Sequence, residues 1–519
     1  MLMKIEGKEH LGRLFTVFVF LVISVAGIAF SIYLFSIAND VYTYMIAVLF
    51  FLLSLTSSFF NLLTSYWYYK SAYFPKYLED LRKKLKPVRT YPTVAVVMPT
   101  HDEEVEMIGR NITELAKMDY PKDKLRVYLL NDSNDHRMKT QLQAICEKRG
   151  VTFIYRDTNA GFKAGALNNF LKYSDEEFVA IFDADEFLTN KKFVRDLVPY
   201  FQDPQIAYVQ TEKKYAKGTF FSDSVDISDS FFYKFIESAR SMGNTATFAG
   251  SCGMIRRSAL DKIGGIPEYA VEDTFFSFES GMNNYRGLYI PNVYALGSPI
   301  NTFSKLVKQQ WRYSYGHTEF IEYMLKRKGT GRKALSKKVD YLAHGLGLNY
   351  LSLVLIAFTA ISIAIIFSYL PVFNMSLLKF LFTNRLSLDI EIFCGLAFFL
   401  SMIAPMVLSK VYYDSFSKGF MVFLLNYALA FVRTKATLTA LFSFPKQKDH
   451  SWTWKHNKES SSIGLGMAFK KARTEVTFAS GLMALSVLAL AQYNLIGGLW
   501  LGWYSIMYFL SPLFFYVYG

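Results

Sequence analysis

An α/β domain with a mostly parallel sheet, set between two groups of membrane-spanning helices, is the fold that three observations predict. Of the 519 residues, 52% are hydrophobic and 17% aromatic, more than an ordinary soluble protein carries. Apolar runs long enough to cross a bilayer gather at both ends of the chain, and the stretch of about 200 residues between them, a usual domain size, contains none. Inside that stretch, short β-rich runs alternate with helical ones.

The formal charge of +14 comes from Lys and Arg residues beside the apolar runs rather than on a nucleic-acid-binding module. Membrane topology accounts for it, and no nucleic-acid partner is expected. The three cysteines, Cys146, Cys252 and Cys394, lie far apart, which excludes a zinc or disulfide framework.

Residues Leu14–Phe35 and Tyr44–Trp67 are the first two expected spans. The first run is too long for a signal-peptide core and no small-residue cleavage site follows it. Lys70, Lys76 and the cluster Arg82 to Lys86 come next, which puts this side, together with Lys4, Lys8 and Arg13, in the cytoplasm. Spans resume at Leu346–Leu370 and Ile390–Val411. Phe420–Phe444 is apolar but contains Arg433 and Lys435, and crossing there would place the basic stretch after it outside the cell; it is expected to lie along the interface. Runs near Phe478–Leu495 and Gly498–Tyr518 complete about six spans, with both termini and the central domain cytoplasmic. The expected divisions are 1–90 (two spans and a basic linker), 91–300 (the α/β domain), 301–340 (interfacial helices) and 341–519 (the remaining spans).

Five strands are expected at Val94–Met98, Val127–Leu130, Thr152–Tyr155, Phe178–Phe182 and Ile206–Gln210, with helices such as Met107–Met118 and Lys139–Arg149 between them. Parallel sheets bind ligands at the carboxyl ends of their strands. Polar residues collect there: Thr100, His101 and Glu103 after the first, Asp132 after the second, Arg156 after the third, and Asp183, Asp185 and Glu186 after the fourth.

Asp183 and Asp185, two residues apart, project to one side of an extended segment and can share a cation. Mg²⁺ or Mn²⁺, completing its shell with phosphate and water, suits such a pair; a solvated acidic turn is the alternative. Glu186 is either a third oxygen ligand or an outward-pointing side chain. Gly161 opens a helix carrying Lys163, a favourable place for phosphate, though the Walker spacing is missing. Glu272 and Asp273 follow a glycine-rich stretch and offer a general base, whereas Cys252 has no His partner in sequence reach and reads as a packing residue. Gln309 and Arg312 stand one helical turn apart, so an amide and a diphosphate-binding guanidinium share one face.

Taken together, Asp132, Asp183-Ala184-Asp185, Val271-Glu272-Asp273 and Gln309-Gln310-Trp311-Arg312-Tyr313 resemble the D, DxD, TED and QxxRW signature of membrane-integrated family 2 glycosyltransferases, the group of cellulose, chitin and hyaluronan synthases. Val replaces Thr, Tyr replaces the final Trp, and His101 stands where that family usually has Tyr. The resemblance implies a Rossmann-like GT-A nucleotide-diphospho-sugar transferase domain inserted in a multi-pass α-helical membrane protein of the cell membrane. It further implies a nucleotide sugar donor, a UDP-sugar being expected. Thr100, His101, Glu103 and Asp132 would surround the nucleoside, Lys163 would contact the diphosphate, Asp183 and Asp185 would hold the Mg²⁺ or Mn²⁺, and Arg312 would meet the leaving group. Asp273 would be the base. Gln309, which also serves the nucleotide sugar, would join Cys252, Glu272, Trp311 and Tyr313 at the acceptor end. Ser451–Lys455 resembles the family's gating loop, within 445–460, through Thr453 and Lys455.

The reaction implied is inverting transfer to a growing β-linked polysaccharide coupled to its export. Transfer to a membrane lipid is the alternative, and a nucleotide-regulated transporter is the reading from another class. Sugar, linkage and accessory subunits stay open.

Overall fold

The computed structural model describes residues 2–38, 41–328, 332–367, 403–442, 463–491 and 495–519. Ten strands occur in the central region: β1 (Val94–Thr100), β2 (Leu125–Asn131), β3 (Thr152–Tyr155), β4 (Phe178–Ile181), β5 (Phe187–Leu188), β6 (Ile206–Thr211), β7 (Lys214–Tyr215), β8 (Gly253–Arg256), β9 (Arg286–Ile290) and β10 (Ala295–Gly297). Seven form one sheet in the order β3-β2-β1-β4-β8-β6-β9, and β5-β10-β7 form a small second sheet.

The apolar runs of β1 and β4 are explained by a sheet covered on both faces. Along β1, Val94, Val96 and Met98 pack into one core with Ile108 and Ile112, while Ala95 and Val97 enter the other with Phe170 and Phe276. β4 divides the same way, Phe178 and Ala180 against Val179 and Ile181. Alternation sends successive side chains to opposite faces, and each fully buried Val or Ile adds about 1.5–3 kcal/mol.

All five expected strands are present, with their ends shifted by up to two residues. The sheet is mixed, because β8 runs antiparallel between β4 and β6. β8 has only four residues behind a glycine-rich turn, too short to give an alternation signal.

The domain is tied to the apolar helices by the helix Phe220–Phe231, which passes through a π-helical turn at Phe232–Glu237 into Ser238–Met242. Phe235 stacks on Tyr68 of the helix Val41–Ser71 with ring centroids 4.2 Å apart. Asp340, from the helix Arg332–Phe367, accepts from Arg240 Nε at 2.8 Å and from Trp67 Nε1 at 3.3 Å.

Among the described residues, four helices are long and apolar enough to cross a membrane: Glu9–Ser36, Ala47–Ser71, Arg473–Ala491 and Gly498–Tyr518. Two bent pairs raise the number to as many as six if each is one span. One of them, Phe416–Ala428 with Ala430–Phe442, bends by 44° and covers the segment expected to lie along the interface. Arg433 there is buried and donates from Nε to Gln310 Oε1 at 2.9 Å. Most of the expected span at 390–411, and Thr453 and Lys455 of the expected gating loop, lie outside the described residues.

Candidate active site

The carboxyl ends of β1, β2, β3 and β4 bring Thr100, Asp132, Arg156 and Asp183 to one rim. Thr100 Oγ1 donates to Leu130 O at 3.0 Å and accepts from Asn131 Nδ2 at 3.3 Å, locking the β1–β2 edge. The His101 backbone N–H donates to Glu103 Oε2 at 2.7 Å, and its Nδ1 lies 3.2 Å from Asp132 O. Asp132 is buried and held by both sides of the Arg156 guanidinium, Nε to Oδ1 at 2.8 Å and Nη2 to Oδ2 at 2.5 Å. Burial raises the Asp132 carboxyl above its ordinary value against the pull of Arg156. Arg156 also donates to Ala160 O and Phe162 O, so the same side chain braces the turn that starts the next helix.

Gly161, at φ +69°, begins the helix Phe162–Phe170 in a left-handed conformation that suits glycine. Lys163 on its first turn pairs with Asp183 Oδ1. A second ammonium, from Lys213, lies 3.4 Å from Asp183 Oδ2, 3.3 Å from Glu186 Oε1 and 2.5 Å from Ser251 Oγ. Burial alone would raise Asp183, but the two lysines hold it well below the usual carboxylate range. Asp185 has the opposite fate: burial, then Asp183 and Glu186, push it up to about 7.

Glu186 points inward. It is 3% exposed, and its oxygens accept from the Asp183 backbone N–H at 2.8 Å and Ser251 Oγ at 2.7 Å. It shapes the Asp183–Asp185 turn instead of facing solvent, and both oxygens are already engaged. Among the described residues no three His, Cys, Asp or Glu side chains converge as a metal-holding group. The pair Asp183 and Asp185 nevertheless fits a hard cation, since a dication there would relieve the mutual repulsion that raises Asp185.

The reacting side is built by close backbone approach. A Cβ at Gly250, whose φ is +84°, would lie 3.4 Å from Asp273 Oδ2 and 3.7 Å from Lys163 Nζ, so these two groups converge over a bare glycine. Asp273 and Glu272 start the helix Glu272–Met282, and Asp273 Oδ1 accepts from the Thr274 N–H at 2.7 Å. Glu272 is pushed up to about 7 by burial and by Asp273. Arg312 comes from the helix Phe303–Lys326. Burial disfavours its charge, but Tyr313, Glu272, Asp273 and Asp183 outweigh that and raise it.

Two expected acceptor residues are placed elsewhere. Cys252 is 1% exposed in the core, with φ +49°, and its thiol, raised by burial and then by Glu186, lies behind the rim against Glu186 and not on an open acceptor face. Trp311 packs with Tyr315, Ala436 and Ala440, under Lys435 at 5.9 Å, because one residue on a helix turns the side chain about 100° from Arg312. Gln309 and Tyr313 do face the site: Gln309 bonds to the Tyr215 hydroxyl, and Tyr313 feels Arg312, Asp229, Lys213 and Asp273. Sequence reading missed Lys213, Ser251, Tyr215 and Asp229. Lys213 had a usable signal, since it follows β6 by two residues as the other polar groups follow their strands; Asp229, inside a helix, had none.

Residues 95–264 match the family model described as Glycosyl transferase family 2. The cellulose synthase catalytic subunit [UDP-forming] of Pseudomonas fluorescens is 32% identical over 238 residues, 44% of this chain and 32% of that protein. The subunit of the same description from Xanthomonas axonopodis pv. citri is 28% identical over 262 residues, 49% of this chain and 35% of that protein. The probable glucomannan 4-beta-mannosyltransferase 9 of Oryza sativa subsp. japonica is 28% identical over 267 residues, 49% of this chain and 50% of that protein. The chain spans about a third of the length of the two cellulose synthase subunits. Among solved structures, a mannosyltransferase from Pyrobaculum calidifontis in complex with GDP-Man and Mn²⁺ is 20% identical, covers 69% of this chain and 99% of its own, and has a TM-score of 0.47. Over residues 95–264, which form most of a mixed sheet flanked by apolar helices, this chain is similar to the Glycosyl transferase family 2.

Proposed function

We propose that the chain transfers a sugar from a nucleoside diphosphate sugar to a growing β-linked polysaccharide, with inversion at the anomeric carbon. The observation that carries this reading is the convergence of Asp273 Oδ2 and Lys163 Nζ over Gly250, which puts a base and a diphosphate-binding cation within one substrate's reach of each other.

Thr100, His101, Glu103 and Asp132 would take the nucleoside at the strand ends, with Arg156 holding Asp132 in place. Lys163 and Arg312 would bind the diphosphate and stabilise the charge that builds as it leaves. Asp183 and Asp185 would hold a Mg²⁺ or Mn²⁺ ion, which when bound supplies further charge neutralisation at the diphosphate. Asp273 would take the proton of the acceptor hydroxyl as that oxygen attacks. A single displacement makes the new bond on the face opposite the leaving group, so an α-linked donor gives a β-linked product.

Export between the apolar helices extends this reading. It is supported by the acceptor side of the site being framed by those helices: Asn349 Nδ2 donates to Ser314 O at 3.0 Å, and Arg433 binds Gln310. The similarity to cellulose synthase subunits and a glucomannan mannosyltransferase suggests glucose and mannose donors as the first to try. Full-length protein in membranes, given UDP- and GDP-sugars with Mn²⁺, Mg²⁺ or EDTA, should release nucleotide in a cation-dependent way and give a β-configured product by NMR. An α-configured product would overturn the inverting mechanism.

A further inference from the structure

A cavity of about 510 Å³ that the transfer chemistry does not use borders the helix Ala430–Phe442. Phe431 lines it, whereas Arg433, two positions on and therefore about 200° round the same helix, binds Gln310 of the helix Phe303–Lys326. The helix Ala430–Phe442 thus stands between the cavity and the helix that carries Arg312. Ile363 of the helix Arg332–Phe367 and one face of the helix Arg473–Ala491 supply the other walls.

That last face changes character along its length. Arg473, Thr477, Gly481 and Leu485 follow one another at four-residue spacing with Thr474 and Phe478 beside them, so a charge and two hydroxyls stand at one end and hydrocarbon at the other. The side chains of Arg473, Thr474 and Thr477 are exposed, and none has a hydrogen-bond or ion-pair partner among the described residues. Glu475, the carboxylate of that turn, is buried on another face. Further along, the rings of Phe478 and Phe431 meet with centroids 5.0 Å apart. A Cβ at Gly481 would meet nothing within 4 Å, so the bare glycine keeps the hollow open.

Depth and charge both suit a lipid. From Arg473 to Leu485 the helix rises about 18 Å, slightly more than half of a hydrocarbon core about 30 Å thick. The Arg473 end lies towards the sheet domain, since Lys471 Nζ donates to Ser304 Oγ at 3.0 Å on the first turn of the helix Phe303–Lys326. Lys470 and Lys471 add positive charge there. An uncompensated guanidinium beside two hydroxyls matches a phosphate. A glycan would find no hydrogen-bonding side chain on the Phe431, Phe478 and Leu485 walls, where an acyl chain is at home.

We propose that this cavity binds an anionic phospholipid from the leaflet on the side of the sheet domain. Its phosphate lies on Arg473, Thr474 and Thr477, and one acyl chain runs over Gly481 against Phe431, Ile363 and Leu485. The bound lipid packs on the helix that carries Arg433, opposite the contact with Gln310.

The test takes the full-length chain from nanodiscs of mixed phosphatidylcholine and phosphatidylglycerol into mild detergent and counts the retained lipid by native mass spectrometry. Wild type is expected to keep phosphatidylglycerol in preference to phosphatidylcholine. Arg473→Gln, which removes the charged bond to phosphate, and Gly481→Phe, which fills the chain's place while every charge stays, should each lower the retained phosphatidylglycerol about tenfold. Arg473→Lys should keep most of it. Both positions are exposed and Gly481 is clear of neighbours, so neither change disturbs packing. Loss in Arg473→Gln alone would show attraction to the membrane surface without a seated chain, and overturns the site. Equal retention of the two lipids by wild type, or none of either, overturns it as well. Displacement of the retained lipid by cellotetraose would give the hollow to a glycan and also overturn it.

Discussion

Gly316 and Val271 touch across a gap that only a hydrogen side chain leaves open: a Cβ at Gly316 would lie 2.8 Å from Val271 Cγ1. Gly316 sits one turn beyond Arg312, and Val271 precedes Glu272 and Asp273. This contact therefore brings the guanidinium and the two carboxylates together. Gly316→Val is expected to force the two helices apart, with an overpacking cost of about 1–3 kcal/mol. Displacing reacting groups by an ångström costs about 10²-fold in rate. Turnover should fall by that order while nucleotide binding, measured by calorimetry, persists; a variant with normal turnover would show that the approach does not set the geometry.

Lys213 shares its charge between Asp183 and Glu186. Lys213→Met leaves those carboxylates facing each other, so the midpoint of thermal unfolding should drop. Mn²⁺ held by Asp183 and Asp185 should recover more stability in the variant than in the wild type, as read by intrinsic fluorescence. Equal Mn²⁺ shifts in both proteins would contradict the shared-cation account.

Glu237 gives a pH dependence of known sign. It is fully buried, its Oε1 accepts the Thr247 N–H at 2.6 Å, and burial raises it to about 8 despite Arg240. An acid raised in the folded state binds its proton more tightly there than in the unfolded chain. Its contribution is therefore intact below the unfolded value near 4.5 and declines as pH climbs towards about 8, by roughly a few kcal/mol. Glu237→Gln keeps the acceptor for Thr247 and removes the charge. Unfolding midpoints between pH 5 and 8 should decline less steeply in this variant, and parallel profiles would refute the assignment.

Trp311 tests the division of labour on the motif helix. Since its ring packs on Ala436 and Ala440, Trp311→Ala should lower the unfolding midpoint and leave the acceptor half-saturation within about threefold. A selective rise in the acceptor value would return Trp311 to the substrate.

The parts of the fold that could be read from sequence were those governed by local periodicity. Val94–Met98 and Phe178–Phe182 announce buried strands because both faces are apolar, and the residues after them then fall on one rim by topology. What sequence hid depends on distant partners. Glu186 turns inward because Ser251 and the Asp183 N–H await it, 65 residues apart in the Ser251 case. Trp311 packs on Ala436 and Ala440 because Arg312 claims the adjoining face, and Asp229 joins the surroundings of Tyr313 only when β7 and the helix Phe303–Lys326 meet it. β8 reverses direction inside the sheet, which no four-residue pattern reports.

The most direct measurement compares nucleotide release and donor binding in wild type and Asp273→Asn. With full-length protein, donor and Mn²⁺, transfer should fall by about 10²- to 10⁴-fold, the range for loss of a general base. Donor affinity should stay close to that of the wild type. Wild-type turnover in Asp273→Asn would contradict the account, because the acceptor proton would then leave to another group, the neighbouring Glu272 carboxyl being the first to test.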